Sequence, residues 1–166
     1  MQLRRKDASH IDDIELKPLM DKCRNDLLAG KEKPYELIEI NIHPDDIKVR
    51  FDVTHLQQIM TTLCEHAFRY SIDYPGFPKV EIHGGITDDL SRPFIDVIDH
   101  GPGIPADDQA HIFEPFFTTS TSGTGLGLYI TRELAGSNEA QVNYLPVKTG
   151  GSCFRITFQD PRRQMS

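Results

Sequence analysis

Apolar residues recur along the chain with two periods, and the switches between them divide it into elements. Leu16, Leu19, Met20, Cys23, Leu27 and Leu28 fall at helical spacing over 15–29, with Gly30 as the stop and Pro18 in the first turn, where a missing N–H is tolerated. Ile38, Ile40 and Ile42 alternate with Glu39 and Asn41, and Ile47, Val49 and Phe51 alternate again after a turn at Pro44 and Asp45, which predicts a β-hairpin. From Asp52 or Thr54 the helical period returns. Leu56, Ile59, Met60, Leu63, Ala67 and Tyr70 make one face of a long helix ending near Ser71, ahead of the breakers Asp73, Pro75, Gly76 and Pro78. Val80 and Ile82 open another strand, and Phe94–Asp99 is a nearly continuous apolar strand interrupted by Asp96.

Residues 100–123 carry few regular signals beyond a short helical stretch over Ala106–Phe113, and an irregular segment of that length in a compact domain is usually functional or mobile. A helix follows over Thr124–Ala135, then strands at Gln141–Leu145 and Ser152–Phe158 joined by a turn at Lys148–Gly151. The order α, ββ, α, ββ, long loop, α, ββ predicts a helical layer on one face of a mixed sheet. Residues 1–14, polar and charged, read as a linker or a frayed helix end.

Composition narrows the classes. The 166 residues suit one domain, and no apolar run approaches the ~18 residues that span a bilayer. MQLRRKD has no apolar stretch behind its basic residues, so a secretory leader is not expected. Cys23, Cys64 and Cys153 are too few and too scattered for a disulfide framework or a zinc site, which points to reduced thiols in the cytoplasm. Lys plus Arg number 18 against 25 Asp plus Glu, a net charge of −7. That balance argues against nucleic acid as partner and requires any anionic ligand to be met by local positive potential.

Four segments carry candidate chemistry. Asp99-His100-Gly101-Pro102-Gly103-Ile104 follows a buried strand; its glycines permit a sharp turn and close backbone approach to a flat ligand, and an ionised Asp accepts from an exocyclic amine, although a merely capped turn has the same signature. Gly123-Thr124-Gly125-Leu126-Gly127-Leu128 opens a helix, where free backbone N–H groups form an anion site; no Gly-Lys-Ser/Thr follows, so it is not a P-loop, and glycines also start helices for packing reasons. Phe113-Glu114-Pro115-Phe116-Phe117-Thr118 places three aromatics in the irregular segment, to clamp a base or to pin the loop to the core. On the long helix, Thr62, His66 and Arg69 share a stripe, and Tyr70 returns four residues after His66.

In this order and spacing, residues 36–158 resemble the catalytic ATP-binding domain of sensor histidine kinases, within the larger group that includes gyrase, Hsp90 and the mismatch-repair ATPases. DHGPGI resembles the G1 box, FEPFFTT the F box, GTGLGL the G2 box, and LCEHAFRYS stands at the N box. FEPFFTTSTSGTGLGLYITRELA with the GGSCFRITF ending is most similar to the sensor kinases of type IV pilus regulation. The resemblance implies a two-layer α/β sandwich of the Bergerat type, with a mixed sheet, helices on one face and a long ATP lid. It implies ATP or ADP as ligand, with Asp99 accepting the adenine amino group and Gly101 and Gly103 shaping the base pocket. Ile104 to Gly123 would be the lid, positioned by Phe113, Phe116 and Phe117 and including Thr118. The phosphates would meet Thr124 and the amides of Gly125, Leu126, Gly127 and Leu128, with Arg69 and Tyr70 near phosphate or ribose.

The N box departs from the family pattern. His66 stands where an Asn normally helps hold Mg²⁺, and Thr62 where a second Asn is common. Mg²⁺ prefers oxygen ligands and imidazole suits softer metals, so His66 is a doubtful Mg²⁺ ligand and a nucleotide-sensing or pseudokinase module is the alternative reading. His100 also replaces a common Asn. A gyrase- or Hsp90-type ATPase would need a Glu one turn before the N-box Asn; the matching Thr62 cannot serve as that base.

The resemblance further implies transfer of the γ-phosphate of ATP to a His on separate dimerisation helices. His10 does not match that phosphoacceptor, so no catalytic residue is assigned in this chain. Residues 1–14 would be the junction to those helices, 15–160 the catalytic domain and 161–166 a tail. The expected partners are those helices and, through the full kinase, a response regulator. The isolated chain is expected to be monomeric and cytoplasmic, part of a membrane-anchored bacterial sensor.

Overall fold

A computed structural model describes residues 10–30, 37–72, 79–118, 125–148 and 150–159, with the side chains of 70–72 excepted. Strand β1 (Ile11–Glu15) runs directly into helix α1 (Leu16–Leu27), followed by β2 (Ile38–Ile42) and β3 (Lys48–Asp52). Helix α2 (Val53–Ile72), β4 (Val80–Ile86), β5 (Pro93–Asp99) and the short α3 (Ala106–Gln109) come next. Helix α4 (Gly127–Ser137), β6 (Gln141–Pro146) and β7 (Ser152–Thr157) complete the described order.

Five strands form one sheet in the order β2-β4-β5-β7-β6, and β1 pairs with β3 in a separate two-stranded sheet. β2 lies parallel to β4, and the other pairings of the large sheet are antiparallel. Strand register stacks three rows across its inner face: Ile42, Gly84, Ile95, Ile156 and Val142; then Ile40, Ile82, Val97, Phe154 and Tyr144; then Ile38, Val80, Asp99, Ser152 and Pro146. Helix α2 packs on β5, α4 on α2 and β6, and α1 on β2, so the helical layer covers these rows. Leu56, Ile59, Met60 and Leu63 of α2 are wholly buried there. The outer face carries a polar row of Asn41, His83, Asp96, Arg155 and Asn143, in which Asp96 takes two hydrogen bonds from Arg155, at 2.7 and 2.9 Å, and that guanidinium lies over the Phe94 ring.

The helices, the mixed sheet and the one-sided helical layer follow the sequence pattern. Two expectations do not hold. Residues 11–14, read as linker, belong to β1, whose Ile14 is buried while Ile11, Asp12 and Asp13 are exposed; a strand that buries one apolar residue leaves almost no periodic signal. The expected β2–β3 hairpin is absent, because β2 pairs with β4 and β3 with β1. Alternation fixes which face of a strand is buried but not which strand lies beside it. The predicted helical stretch over Ala106–Phe113 shortens to Ala106–Gln109, with turns after it.

Candidate functional site

Strand β5 ends in an acid. Register places Asp99 on the core face between Val80 and Ser152, and it is 1% exposed. Its Oδ1 accepts the Gly101 N–H at 2.9 Å. Burial raises its pKa above the usual carboxyl value, opposed by the backbone donor of Gly101, the nearby His100 and the backbone of Ser152. A carboxylate carries about four acceptor positions, so capacity remains for a ligand amine.

The surrounding turn has no room for side chains. Gly103 has φ +79°, and a Cβ there would stand 3.0 Å from the Gly151 carbonyl oxygen. Gly151 has φ +93°, and a Cβ there would collide with the Asp99 carbonyl oxygen. Beside them the Tyr144 hydroxyl accepts the Ile104 N–H at 3.1 Å and lies 3.4 Å from Ser152 Oγ. Gln109 donates to the Ile104 carbonyl at 2.9 Å, so the first residue of the lid is held on both sides. His100 lies outside this pocket, its Nε2 2.6 Å from Glu81 Oε2 on the outer face.

Helix α2 supplies the opposite wall. Its N-terminus is capped by Asp52, whose Oδ1 accepts the His55 N–H at 3.2 Å. Thr62 Cγ2 lies 3.3 Å from where a Cβ on Gly127 would sit, so a glycine at the start of α4 lets the two helices meet. One turn later the His66 ring stands edge-on to Phe154 at 5.2 Å. Phe154 also contacts Phe113 of the lid at 6.1 Å and Tyr144 of β6 at 5.4 Å. Burial lowers the His66 pKa to about 4, helped by the Arg69 charge, so the imidazole is neutral at neutral pH. Arg69 is exposed.

The lid joins α4 through a backbone clasp. Phe116 N–H donates to the Gly125 carbonyl at 2.8 Å, and both residues are left-handed, with φ of +67° and +75°. A side chain at Gly125 would run into the Phe116 backbone. Phe113 and Phe117 pack against the core, which matches the pinning reading, whereas Phe116 is 74% exposed. Helix α4 begins at Gly127 with Leu126 at the N-cap and no side-chain cap, and its first backbone bond runs from Ile130 N–H to Leu126 O at 2.9 Å. The first-turn amides are therefore those of Gly127, Leu128 and Tyr129.

The helix was expected from Thr124; Gly125 and Leu126 in fact precede it, and the Gly125 carbonyl is engaged by Phe116. The exposed Thr118 lies on the lid side of the clasp. Thr124, Gly123 and the Tyr70 side chain lie outside the described residues.

The far end of α4 is anchored by a group that sequence reasoning missed. Asn138, 4% exposed, accepts the Asp52 N–H at 2.9 Å, donates to the Leu134 carbonyl at 2.8 Å and lies 3.0 Å from His55 Nδ1. It ties the C-terminal end of α4 to the start of α2. Tyr144, Gly151 and Ser152 were also missed as site residues. Their signal was strand parity, which puts Tyr144 beside Phe154 and Ser152 beside Asp99. Among the described residues no group of three or more His, Cys, Asp and Glu could hold a metal ion, and none of the helices is long and apolar enough to cross a membrane.

Known proteins share this fold. Residues 51–162 match the family described as histidine kinase-, DNA gyrase B-, and HSP90-like ATPase. The sensor protein kinase PilS of Pseudomonas aeruginosa is 36% identical over 98% of this chain, which spans 31% of that protein. Sporulation kinase A of Bacillus subtilis is 31% identical over 73% of this chain and 19% of its own length. The chain thus spans about a third or less of these curated relatives. The catalytic domain of histidine kinase ThkA superposes with a TM-score of 0.74 at 25% identity, over 89% of this chain and 94% of that one. Full-length ShkA in complex with AMPPNP shares the fold, with a TM-score of 0.69 at 21% identity over 89% of this chain and 30% of ShkA. With a helix-covered mixed sheet and the family match spanning residues 51–162, the chain belongs to the histidine kinase-, DNA gyrase B-, and HSP90-like ATPase family and has the fold of a histidine kinase catalytic domain.

Proposed function

We propose that the chain is the ATP-binding catalytic module of a sensor histidine kinase, with the adenine amine on Asp99 and the phosphates before α4. The carrying observation is Asp99 itself: a buried acid on the core face of the sheet between Val80 and Ser152, beside glycines that leave the backbone bare. The uncapped first turn of α4 and the exposed Arg69 supply the local positive potential that a chain of net charge −7 lacks overall. Thr62 and His66 line the wall between these ends. In the transfer, the bond from the γ-phosphorus to its bridging oxygen breaks, ADP leaves, and a phosphorus–nitrogen bond forms on the acceptor imidazole. The module contributes positioning and charge stabilisation.

The acceptor His would lie on dimerisation helices beyond residues 1–14, with 15–160 as the catalytic domain and a response regulator receiving the phosphoryl group from the full kinase. Similarity to the sensor protein kinase PilS favours pilus regulation, and the parent protein in this reading is a membrane-anchored sensor. The named relatives are kinases, and none favours the sensing-module alternative. Mg²⁺, the ion such a reaction ordinarily uses, is a poor match to the donors on α2, which offers a hydroxyl and a neutral imidazole where a hard ion demands oxygens.

The test is transfer of label from γ-labelled ATP to the separately purified dimerisation helices of the parent protein. Labelling of a His there, dependent on this chain, is expected. Nucleotide binding without transfer under any divalent ion would refute the kinase assignment.

A further inference from the structure

We infer that Glu81 is a positioning residue for base recognition: through the His100 imidazole it restrains the turn that aims Asp99, and so sets the preference of the pocket for adenine over guanine. The inference rests on the nucleotide reading above. Asp99 is the last paired residue of β5, opposite Val80 on one side and Ser152 on the other. His100 lies one residue past the ladder, where the chain leaves the sheet for the glycine turn. Its side chain meets the outer face while that of Asp99 enters the core face, so a hold on both restrains the peptide between them. On the inner side Asp99 Oδ1 accepts the Gly101 N–H at 2.9 Å. On the outer side His100 Nε2 meets Glu81 Oε2 at 2.6 Å.

The neighbours of Glu81 leave it to this task. A carboxylate only accepts, so the shared proton sits on Nε2. His83 Nε2 stands 3.3 Å from the other oxygen, within ion-pair distance but without hydrogen-bond alignment. Glu39, beside Glu81 on β2, is engaged by Lys79 at 2.8 Å and Asn41 at 3.1 Å. Asp96, beside His83 on β5, is engaged by Arg155. The Glu81 side chain is 21% exposed against 52% for His100, so the acid is the more enclosed partner. Both residues lie on the far side of the sheet from the pocket, so their effect on a ligand passes through Asp99. A site built to accept from an amine rejects an analogue that lacks it, and a poorly aimed carboxylate loses that discrimination.

The experiment titrates ADP and GDP, by competition calorimetry, into the 166-residue chain and into Glu81→Ala, Glu81→Gln, His100→Ala and the double alanine variant. Side-chain ¹⁵N spectra of the wild-type histidines accompany it. Glu81→Ala is expected to weaken ADP binding about three- to tenfold and to leave GDP binding unchanged, so the ADP-over-GDP ratio falls by that factor. Glu81→Gln, which keeps an acceptor oxygen, is expected to recover most of the ratio. The double variant is expected to lose no more than Glu81→Ala alone, because the two residues act as one unit. The His100 resonances are expected to show a protonated Nε2. Where Glu81→Ala fails to fold, His100→Ala carries the same comparison of ADP with GDP. Equal losses for ADP and GDP, additive losses in the double variant, or an unprotonated Nε2 overturns the inference and leaves nucleotide binding intact. Failure of the wild-type chain to bind ADP overturns the nucleotide reading and the inference together.

Discussion

Asn138→Ala removes the fastener between α4 and the N-box helix. The side chain is buried and makes contacts to the Asp52 N–H, the Leu134 carbonyl and His55 Nδ1, at 2.9, 2.8 and 3.0 Å. A typical buried hydrogen bond contributes about 1 kcal/mol net, and stranding its partner costs about 1–3 kcal/mol. Three contacts therefore give a loss of about 3 kcal/mol, part of the desolvation cost being offset where water enters the vacated space. For a domain of this size each kcal/mol lowers Tm by about 2–4 °C, so a fall of roughly 6–12 °C is expected. Urea unfolding followed by circular dichroism reads the free energy, and a thermal scan reads Tm. Asn138→Asp keeps an acceptor for the Asp52 N–H but loses both donors and adds a charge to the network containing the Asp52 carboxylate, so it should be at least as harmful. A loss under about 1 kcal/mol in Asn138→Ala, or full tolerance of Asp, would refute the assignment of Asn138 as a fully engaged buried group.

Gly125→Ala should both destabilise the chain, by about 1–2 kcal/mol from its left-handed φ, and weaken ADP binding, because the new Cβ meets the Phe116 backbone and opens the clasp at the helix start. Calorimetry and urea unfolding separate the two effects, and unchanged ADP affinity would show that the clasp does not shape the phosphate end. Acidification should weaken ADP binding at a pH above the ordinary 3.8 of an Asp, because burial raises the Asp99 pKa and the protonated acid loses acceptor capacity. The stability contribution of Asp99 has the opposite sign: it is fully present below the unfolded value and is lost as pH rises through the raised folded value. ADP titrations and unfolding curves over that window check both directions, and a pH dependence removed by Asp99→Asn assigns it to this group.

Much of the fold was legible because burial imposes periodicity. The helical stripe from Leu56 to Ala67 and the alternation of Phe154, Ile156 and Phe158 both mark core faces that the structure buries. The strand β1 was illegible because three of its first four residues are exposed, and the parallel β2–β4 pairing because partner choice is a long-range property. In the site, Asp99 and its glycines stood out through local turn chemistry. Asn138 did not, since its bond to Asp52 spans 86 residues. Tyr144 looked like an ordinary strand residue until pairing with β7 placed it against Phe154. The start of α4 was misplaced by two glycines and by the lack of a capping Ser, Thr, Asp or Asn beside Leu126.

The central claim is that Asp99 recognises the adenine base, and calorimetric titration of ADP into the wild-type chain and Asp99→Asn tests it most directly. Replacing a carboxylate acceptor by an amide should cost a charge-assisted hydrogen bond of about 1.5–3 kcal/mol, which weakens ADP binding about 10- to 100-fold. Guanosine diphosphate, whose ring presents a carbonyl in place of that amine, should bind the wild-type chain poorly. Equal ADP affinity in the two proteins, with Asp99→Asn folded as shown by its unfolding curve, would contradict the assignment of this pocket to the base.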